Sequence, residues 1–473
     1  MPPRLATRLA VVVGLGLTLI FVARTQHSVE EWTRGMYFKF MSEQGLAQQA
    51  HAACDRCTVA PQWCSEFGSR NIDLTVAYEG SGDRLRRVIA KSLEGKPLNF
   101  GIIGGSLSRG HGCHCTTFHR QIFDWWNATF PHPNNQYVDG SVGARGSNYF
   151  KFCHVEHLRK NVDLVIIELG INDNRNEETM KNMESILRAV LSYPSKPAVV
   201  LTASFSLMGR IDMGADGHLP VAQYYDVPVI NIRHALFPII QQRPDTLKDY
   251  FVSKHPDPKR YDYLHLSGLG HYTLAQSTIA FLERQKCLVQ NPRPSVAANA
   301  SLFPVGEQYD TDVPRLSLLS NSWSEDAVAR IDQPTCSTID SVDAPLTPLP
   351  SSHGWSKWQQ PHTEKTFWRA TEVGAQIDFS VDVGEGHIQL YYLRSKKMQL
   401  GRVTCWLDDD EKHSRTMDGW WDDPTSVGSF TTINEGRILK AGHYNLHCKT
   451  IGPGAGSEEG RGNQFMIIAV LTI

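Results

Sequence analysis

The sequence carries no excess charge of either sign: 47 Lys and Arg stand against 49 Asp and Glu, a formal net charge of −2. That balance excludes the built-in basic field by which a chain is drawn onto nucleic acid, so no nucleic-acid partner is expected. No repeat recurs at a fixed period, which excludes a solenoid. The apolar run nearest the N-terminus, residues 9–23 (LAVVVGLGLTLIFVA), stops short of the ~20 residues of an ordinary membrane span.

That run nevertheless has the form of a secretory-pathway signal. It follows Arg4 and Arg8, contains no charge and is closed by Arg24. Only Ala23 and Thr25 approximate the small residues of a cleavage site, so residues 1–25 are read as an uncleaved signal anchor. The N-terminal arginines place that end in the cytoplasm and the body in the lumen, a single-pass type II arrangement in the Golgi or at the cell surface. Cleavage would instead give a secreted protein. Ten cysteines, an even number, suit an oxidising compartment, although their spacing does not fix the pairing. Asn127-Ala-Thr and Asn299-Ala-Ser are glycosylation acceptors that suit the same compartment.

The length, 473 residues, is too great for one ordinary core and favours two or three domains. Residues 26–95 show no sustained period and are read as a stem, in which Cys54-Asp-Arg-Cys57 and Cys64 form disulfides; no second C-x-x-C follows to complete a zinc site. Residues 96–288 alternate apolar strands (98–105, 136–140, 162–170, 197–204 and 227–232) with helix-length segments (116–130, 147–159, 177–192 and 272–285). This is the pattern of an α/β parallel sheet, expected as a three-layer α/β/α flavodoxin-like sandwich with its site beyond the strands' C-terminal ends. A proline-bearing linker, residues 289–312, leads to residues 313–473. There β-type runs at 375–383, 387–395, 401–409, 442–448 and 464–473 predict an all-β sandwich or jelly roll.

The first strand runs into Gly104-Gly105-Ser106-Leu-Ser108-Arg109-Gly110. A phosphate loop would need Lys-Ser/Thr after its last glycine, and none is there. A nucleophilic serine needs a base, a group that orients the base, and donors for an oxyanion. Asn172, in the cluster that ends the third strand, can supply an N–H, although Asn172 and Asp173 equally suit a turn or a helix N-cap. Asp262-Tyr-Leu-His265, in a loop before the last helix, offers an orienting carboxylate and a base. His271, at or inside the start of that helix, is the rival base and is read as structural.

Taken together, GGSLS, DGSVGARGSNYF (139–150), GIND (170–173) and DYLH (262–265) resemble, in order and spacing, the four blocks of the SGNH/GDSL hydrolases. The resemblance covers residues 98–285 and implies Ser106 as nucleophile, Asp262 and His265 as orienter and base, and Ser106 and Asn172 as oxyanion donors. It requires no cofactor and no metal. Gly146, just before a helix, is preferred as the glycine donor, with Gly143 as alternate. Two departures stand out: Gly105 replaces the family's aspartate before the nucleophile, and Asp139 stands where an asparagine is usual. The whole layout also looks like that of fungal membrane-associated SGNH-type proteins linked to cell-surface polysaccharide.

Two clusters have plainer readings. Cys113-His114-Cys115 would need a further ligand such as Cys153 or His111 to hold a metal, and in an oxidising lumen is expected instead in disulfides, one of them tying this loop to Cys153. Trp420 and Trp421, in DGWWDD, could stack on sugars but are expected to pack a loop onto the sandwich; the β module, which shows no triad-like set, is assigned support or carbohydrate recognition. The expected function is a serine esterase acting on acyl esters of glycans, O-acetyl groups foremost. O-acyl transfer by the same triad, or glycan binding without turnover, are the alternatives.

Overall fold

The computed structural model describes residues 53–252, 262–291, 312–320, 322–361, 365–384, 386–422, 426–457 and 462–473. The apolar run 9–23 and the acceptor Asn299 lie outside them. Among the described residues no helix is long and apolar enough to cross a membrane.

Six strands build the first sheet: β1 (Val76–Tyr78), β2 (Asn99–Gly104), β3 (Gln136–Asp139), β4 (Leu164–Glu168), β5 (Ala198–Ala203) and β6 (Val229–Asn231), in the order β1-β6-β5-β4-β2-β3. All neighbours are parallel except β1, which pairs antiparallel with β6. The α-helices among the described residues are α1 (Arg56–Val59), α2 (Pro61–Phe67), α3 (Ser69–Thr75), α4 (Asp83–Leu93), α5 (Phe118–Thr129), α6 (Ser147–His157), α7 (Glu177–Leu191), α8 (Gly214–Tyr224), α9 (Arg233–Gln242), α10 (Leu247–Tyr250) and α11 (Gly268–Gln290).

Because side chains alternate across a strand, one residue set faces each helix layer. Phe100, Ile102, Leu164, Ile166 and Val200 pack on α4, α5, α9 and α11, whereas Ile103, Val165, Ile167, Val199 and Leu201 pack on α6, α7 and α8. Strands buried on both faces must be apolar throughout, which is why these runs were continuous in the sequence.

The described part of residues 26–95 is no stem. β1 is an edge strand of the sheet, and α4 is one of its flanking helices, packed on α11 through Leu85, Val88 and Ile89. Cys57 pairs with Cys64, while Cys54 pairs with Cys287 near the end of α11, fastening the segment to the α/β unit.

The second unit contains β9 (Thr335–Thr338), β10 (Trp355–Gln359), β11 (Thr366–Ala370), β12 (Gln376–Val383), β13 (Ile388–Arg394), β14 (Arg402–Leu407), β15 (Arg415–Asp418), β16 (Val427–Thr432), β17 (Gly442–Gly452) and β18 (Phe465–Thr472). They form two antiparallel sheets, β10-β11-β18-β13-β16 with β9 on β18, and β12-β17-β14-β15, closed over a core that includes Ile377, Phe379, Leu390, Val403, Leu446 and Phe465. Cys405 and Cys448, opposite each other on β14 and β17, are disulfide-bonded.

The two units share a core. Cys336, Tyr391, Ala469 and Leu471 of the β unit pack into the cluster built on α6 and α7, and Cys153 of α6 is bonded to Cys336 of β9. The expected tie between Cys153 and the Cys113-His-Cys115 loop is therefore wrong: Cys113 and Cys115 pair with each other. Cys153 lies on the α6 face that meets the β unit, within reach of β9. Pro314, Leu316 and Ala329 also lie on the α/β unit, where Arg188 of α7 donates to their carbonyls.

Candidate active site

In this strand order β2 has β3 on one side and β4 on the other, so the chain turns away in opposite directions from its C-terminal end. A crevice opens at such a switch point because the connections on either side leave toward opposite faces. The loops after β2, β3 and β4 carry Ser106, Gly143 and Asn172 into it.

Ser106 follows Gly105, whose N–H donates to the Glu168 carbonyl at the end of β4 (3.3 Å). Below the turn, Ser108 is fully buried; its hydroxyl donates to Glu168 (3.0 Å) and its carbonyl accepts from His119 Nε2 (2.8 Å). Tyr137 donates in turn to His119 Nδ1 (2.7 Å). Burial pushes the Glu168 carboxyl up to about 8, against the lowering effect of the bonds from Ser108 and from the N–H groups of Ile171 and Gly105. A buried carboxyl kept protonated costs less than a buried carboxylate.

His265 reaches the serine from the far end of the unit. Asp262 and His265 lie not in a loop but on the short strand β8 (Asp262–Leu266), paired with β7 (Phe251–Val252). Asp262 Oδ1 accepts the N–H groups of Leu264 (2.9 Å) and His265 (3.1 Å), and its Oδ2 accepts from His265 Nδ1 (2.5 Å). With Nδ1 carrying its proton toward the carboxylate, Nε2 is the acceptor for Ser106 Oγ–H at 2.7 Å. Burial raises the Asp262 carboxyl, but the bonds from His265 and Leu264 outweigh it and hold the group below the usual carboxylate value. The His111 ring packs on His265 at 4.6 Å between centroids.

His271 sits in the first turn of α11, buried. Burial first, then His119 and His265, lower it to about 3, and the neutral ring accepts the Phe118 N–H at Nδ1 (3.3 Å). It touches neither Ser106 nor Asp262 by hydrogen bond among the described residues. Cys113, Cys115 and His271 bring ligand atoms within 4.8 Å of one another, but the two sulfurs are bonded and offer no thiolate.

Asn172 donates its Nδ2 to the Arg145 carbonyl (2.6 Å). It is not a helix cap: Asn176 caps α7 through the Thr179 N–H, and Asp173 instead accepts the Ser147 N–H that opens α6 (2.8 Å) while facing His218 at 2.9 Å. The two candidate glycines separate on position. A Cβ placed on Gly143 would stand 4.0 Å from the Ser106 Cβ, whereas one on Gly146 would run into the Asp173 carboxylate. Gly143 is thus the glycine beside the serine, the reverse of the order preferred from sequence.

A cleft of about 1090 Å³ opens alongside Gly143 between the two units. Arg109, Ser141 and His157 line one side, and Gln359 at the end of β10, Gln360 just after it and Lys365 just before β11 line the other. That the β unit would border the site had no local signal, since contact between units is set by packing. Trp420 and Trp421 line no part of it; Trp420 packs on Gly454 and Gly456, and Trp421 on Arg394. Asn127 is exposed on α5.

No family model matches the sequence, and no curated protein is similar to it. Among solved structures the chain resembles a two-domain esterase active on acetylated mannans: 19% identity, 85% of this chain and 98% of that one, TM-score 0.62. A second structure of that esterase, co-crystallised with mannopentaose, gives 20% identity, 85% and 97% coverage, and the same TM-score. At this identity the likeness concerns the fold, and it spans both units.

Proposed function

We propose that the chain is a serine esterase of the SGNH type that removes acyl groups, O-acetyl groups foremost, from glycans in the secretory pathway. The observation that carries the reading is the relay Ser106 Oγ to His265 Nε2 (2.7 Å) and His265 Nδ1 to Asp262 Oδ2 (2.5 Å), at the switch point of the sheet. The four-block resemblance is independent support.

In this reading Ser106 Oγ attacks the ester carbonyl carbon as its proton passes to His265 Nε2, and Asp262 stabilises the imidazolium. The Ser106 and Gly143 N–H groups and the second Nδ2–H of Asn172 hold the oxyanion; each such donor contributes about 2.7–4 kcal/mol in comparable sites. Collapse breaks the bond to the sugar oxygen, which takes the proton from His265 and leaves an acyl-enzyme. Water, deprotonated by His265, then releases the carboxylic acid and restores Ser106. A sugar hydroxyl in place of water would complete acyl transfer.

A glycan substrate is supported by the size of the cleft and its position between the units, and by the acetylated-mannan activity of an esterase with the same two-unit fold. An oxidising compartment is supported by the pairing of all ten cysteines. Anchoring through residues 9–23 completes the proposed placement.

A fluorophosphonate probe tests the reading directly. Wild type should be labelled at Ser106, and Ser106→Ala should lose the label while melting as wild type does. A folded wild type that fails to label, or a label on another residue, would overturn it. Counting free acid against acylated sugar after loading an acetyl donor separates hydrolysis from transfer.

A further inference from the structure

Resting on that reading, we infer that Tyr391, a residue of the β unit, is a positioning residue for the ester chemistry: it holds Arg145, whose carbonyl fixes the amide of Asn172. The chain of contacts starts at the oxyanion donor. One N–H of the Asn172 amide is spent on the Arg145 carbonyl (2.6 Å), and this bond decides where the other one points. Whatever sets the position of Arg145 therefore aims the donor.

Arg145 lies in the loop between β3 and α6, directly after Ala144, a non-glycine residue at φ 59°. Such a backbone persists only where its surroundings fix it. Among the described residues no carboxylate pairs with Arg145, and its Nε is buried without a hydrogen-bond partner. Its guanidinium instead stands over two rings, 4.6 Å from the centroid of Tyr391 and 5.4 Å from that of Tyr149. Apart from a bond from Nη1 to the Ala144 carbonyl (3.4 Å), this half-buried guanidinium, with no anion beside it, draws its stabilisation from these ring faces.

Tyr391 is itself immobilised. It is 1% exposed on β13, stacks on Phe430 of the neighbouring β16 at 4.1 Å, and lays its hydroxyl over Gly428, where any Cβ would collide with it. The Cys153–Cys336 bond fastens α6, which begins just past this loop, to the same unit. The β unit is thus built into the oxyanion loop and is more than an appended binding module.

The test compares Tyr391→Leu with Tyr391→Phe. Leucine removes the ring face and should lower kcat on an aryl acetate about 10- to 100-fold, part of what losing a whole donor costs, with KM little changed. Phenylalanine keeps the face and should restore kcat. In an Asn172→Ala background, Tyr391→Leu should add almost nothing, because the group it aims is gone. Backbone hydrogen exchange of residues 140–147 should quicken in Tyr391→Leu, and Arg145→Met should reproduce both effects if the leucine variant folds poorly. An unchanged kcat, or an equal loss in the Asn172→Ala background, would overturn the inference, as would unchanged exchange. Quickened exchange in a protein whose wild type turns over no ester would sustain the coupling and sink the esterase reading alone.

Discussion

Asn172 occupies the space that a side chain on Gly105 would need: a Cβ there would overlap Asn172 Nδ2 and stand 3.2 Å from the Arg145 carbonyl oxygen. Glycine leaves the amide room to lie against the turn. Gly105→Asp should therefore push Asn172 off its acceptor and lower kcat about 100-fold, with a smaller change in KM. Steady-state hydrolysis of an aryl acetate checks it, and an unaltered kcat would remove Asn172 from the proposed oxyanion site.

Asp262→Asn should leave His265 with the wrong tautomer and lower kcat about 10³- to 10⁴-fold, by analogy with other triads. The carboxyl also contributes to folding. Its folded value lies below the ordinary 3.8, so its stabilisation is complete above that pH and is lost as pH falls through the folded value. The gap in melting temperature between wild type and Asp262→Asn should narrow below pH ~4; a gap that stays constant would mean the carboxylate gains nothing from the fold.

Glu168 has the opposite sign. Its folded value of about 8 exceeds the ordinary 4.5, so the folded state keeps a proton that the unfolded chain gives up, and stability falls as pH rises between the two. Glu168→Gln removes this dependence. Its melting temperature relative to wild type should climb from pH ~4.5 to ~8 and then level off, as linkage requires. Parallel profiles for the two proteins would show that the carboxyl is ionised in the fold.

Replacing Cys153 and Cys336 together by serine opens a bridge across 183 residues and between the two units. The expected loss is about 2–5 kcal/mol, read from denaturant unfolding of both forms. The variant should also be cut more readily by protease near residue 312 under native conditions. Equal stability of the two forms would mean that the shared core alone holds the units together.

Gln360→Ala with Lys365→Ala strips side chains from the β-unit wall of the cleft. KM for an acetylated oligosaccharide should rise severalfold while an aryl acetate, too small to reach that wall, is turned over as before. A matching rise for both substrates would remove the cleft from substrate binding.

Much of this was legible along the chain. Strands β2, β4, β5 and β6 appear as apolar runs between turn residues, because burial on both faces demands it, whereas the edge strand β3 has Gln136 and Asp139 exposed at its ends. β1 gave no such signal: it is three residues long and half-buried at an edge. Helices α8 and α9 carry Pro220 and Pro238, residues that ordinarily end a helix. Within the site, Ser106, Asn172, Asp262 and His265 stood out as polar residues ending apolar strands or in spaced motifs. Arg145 and Tyr391 did not, since a buried tyrosine in a strand and an arginine in a loop are ordinary until they meet.

The sequence by itself determined which chemical groups exist and in what order they occur along the chain: a serine after one strand, an amide after another, and an aspartate three residues before a histidine. Hydrophobic periodicity and local hydrogen bonding suffice for that, because both act over a few residues. Only the tertiary structure decided that β2 lies between β3 and β4, that Gly143 and not Gly146 stands beside the serine, that Cys153 reaches Cys336, and that the β unit borders the cleft. Those outcomes depend on the pairing of strands and the packing of faces far apart in the chain, whose free energies no local pattern encodes.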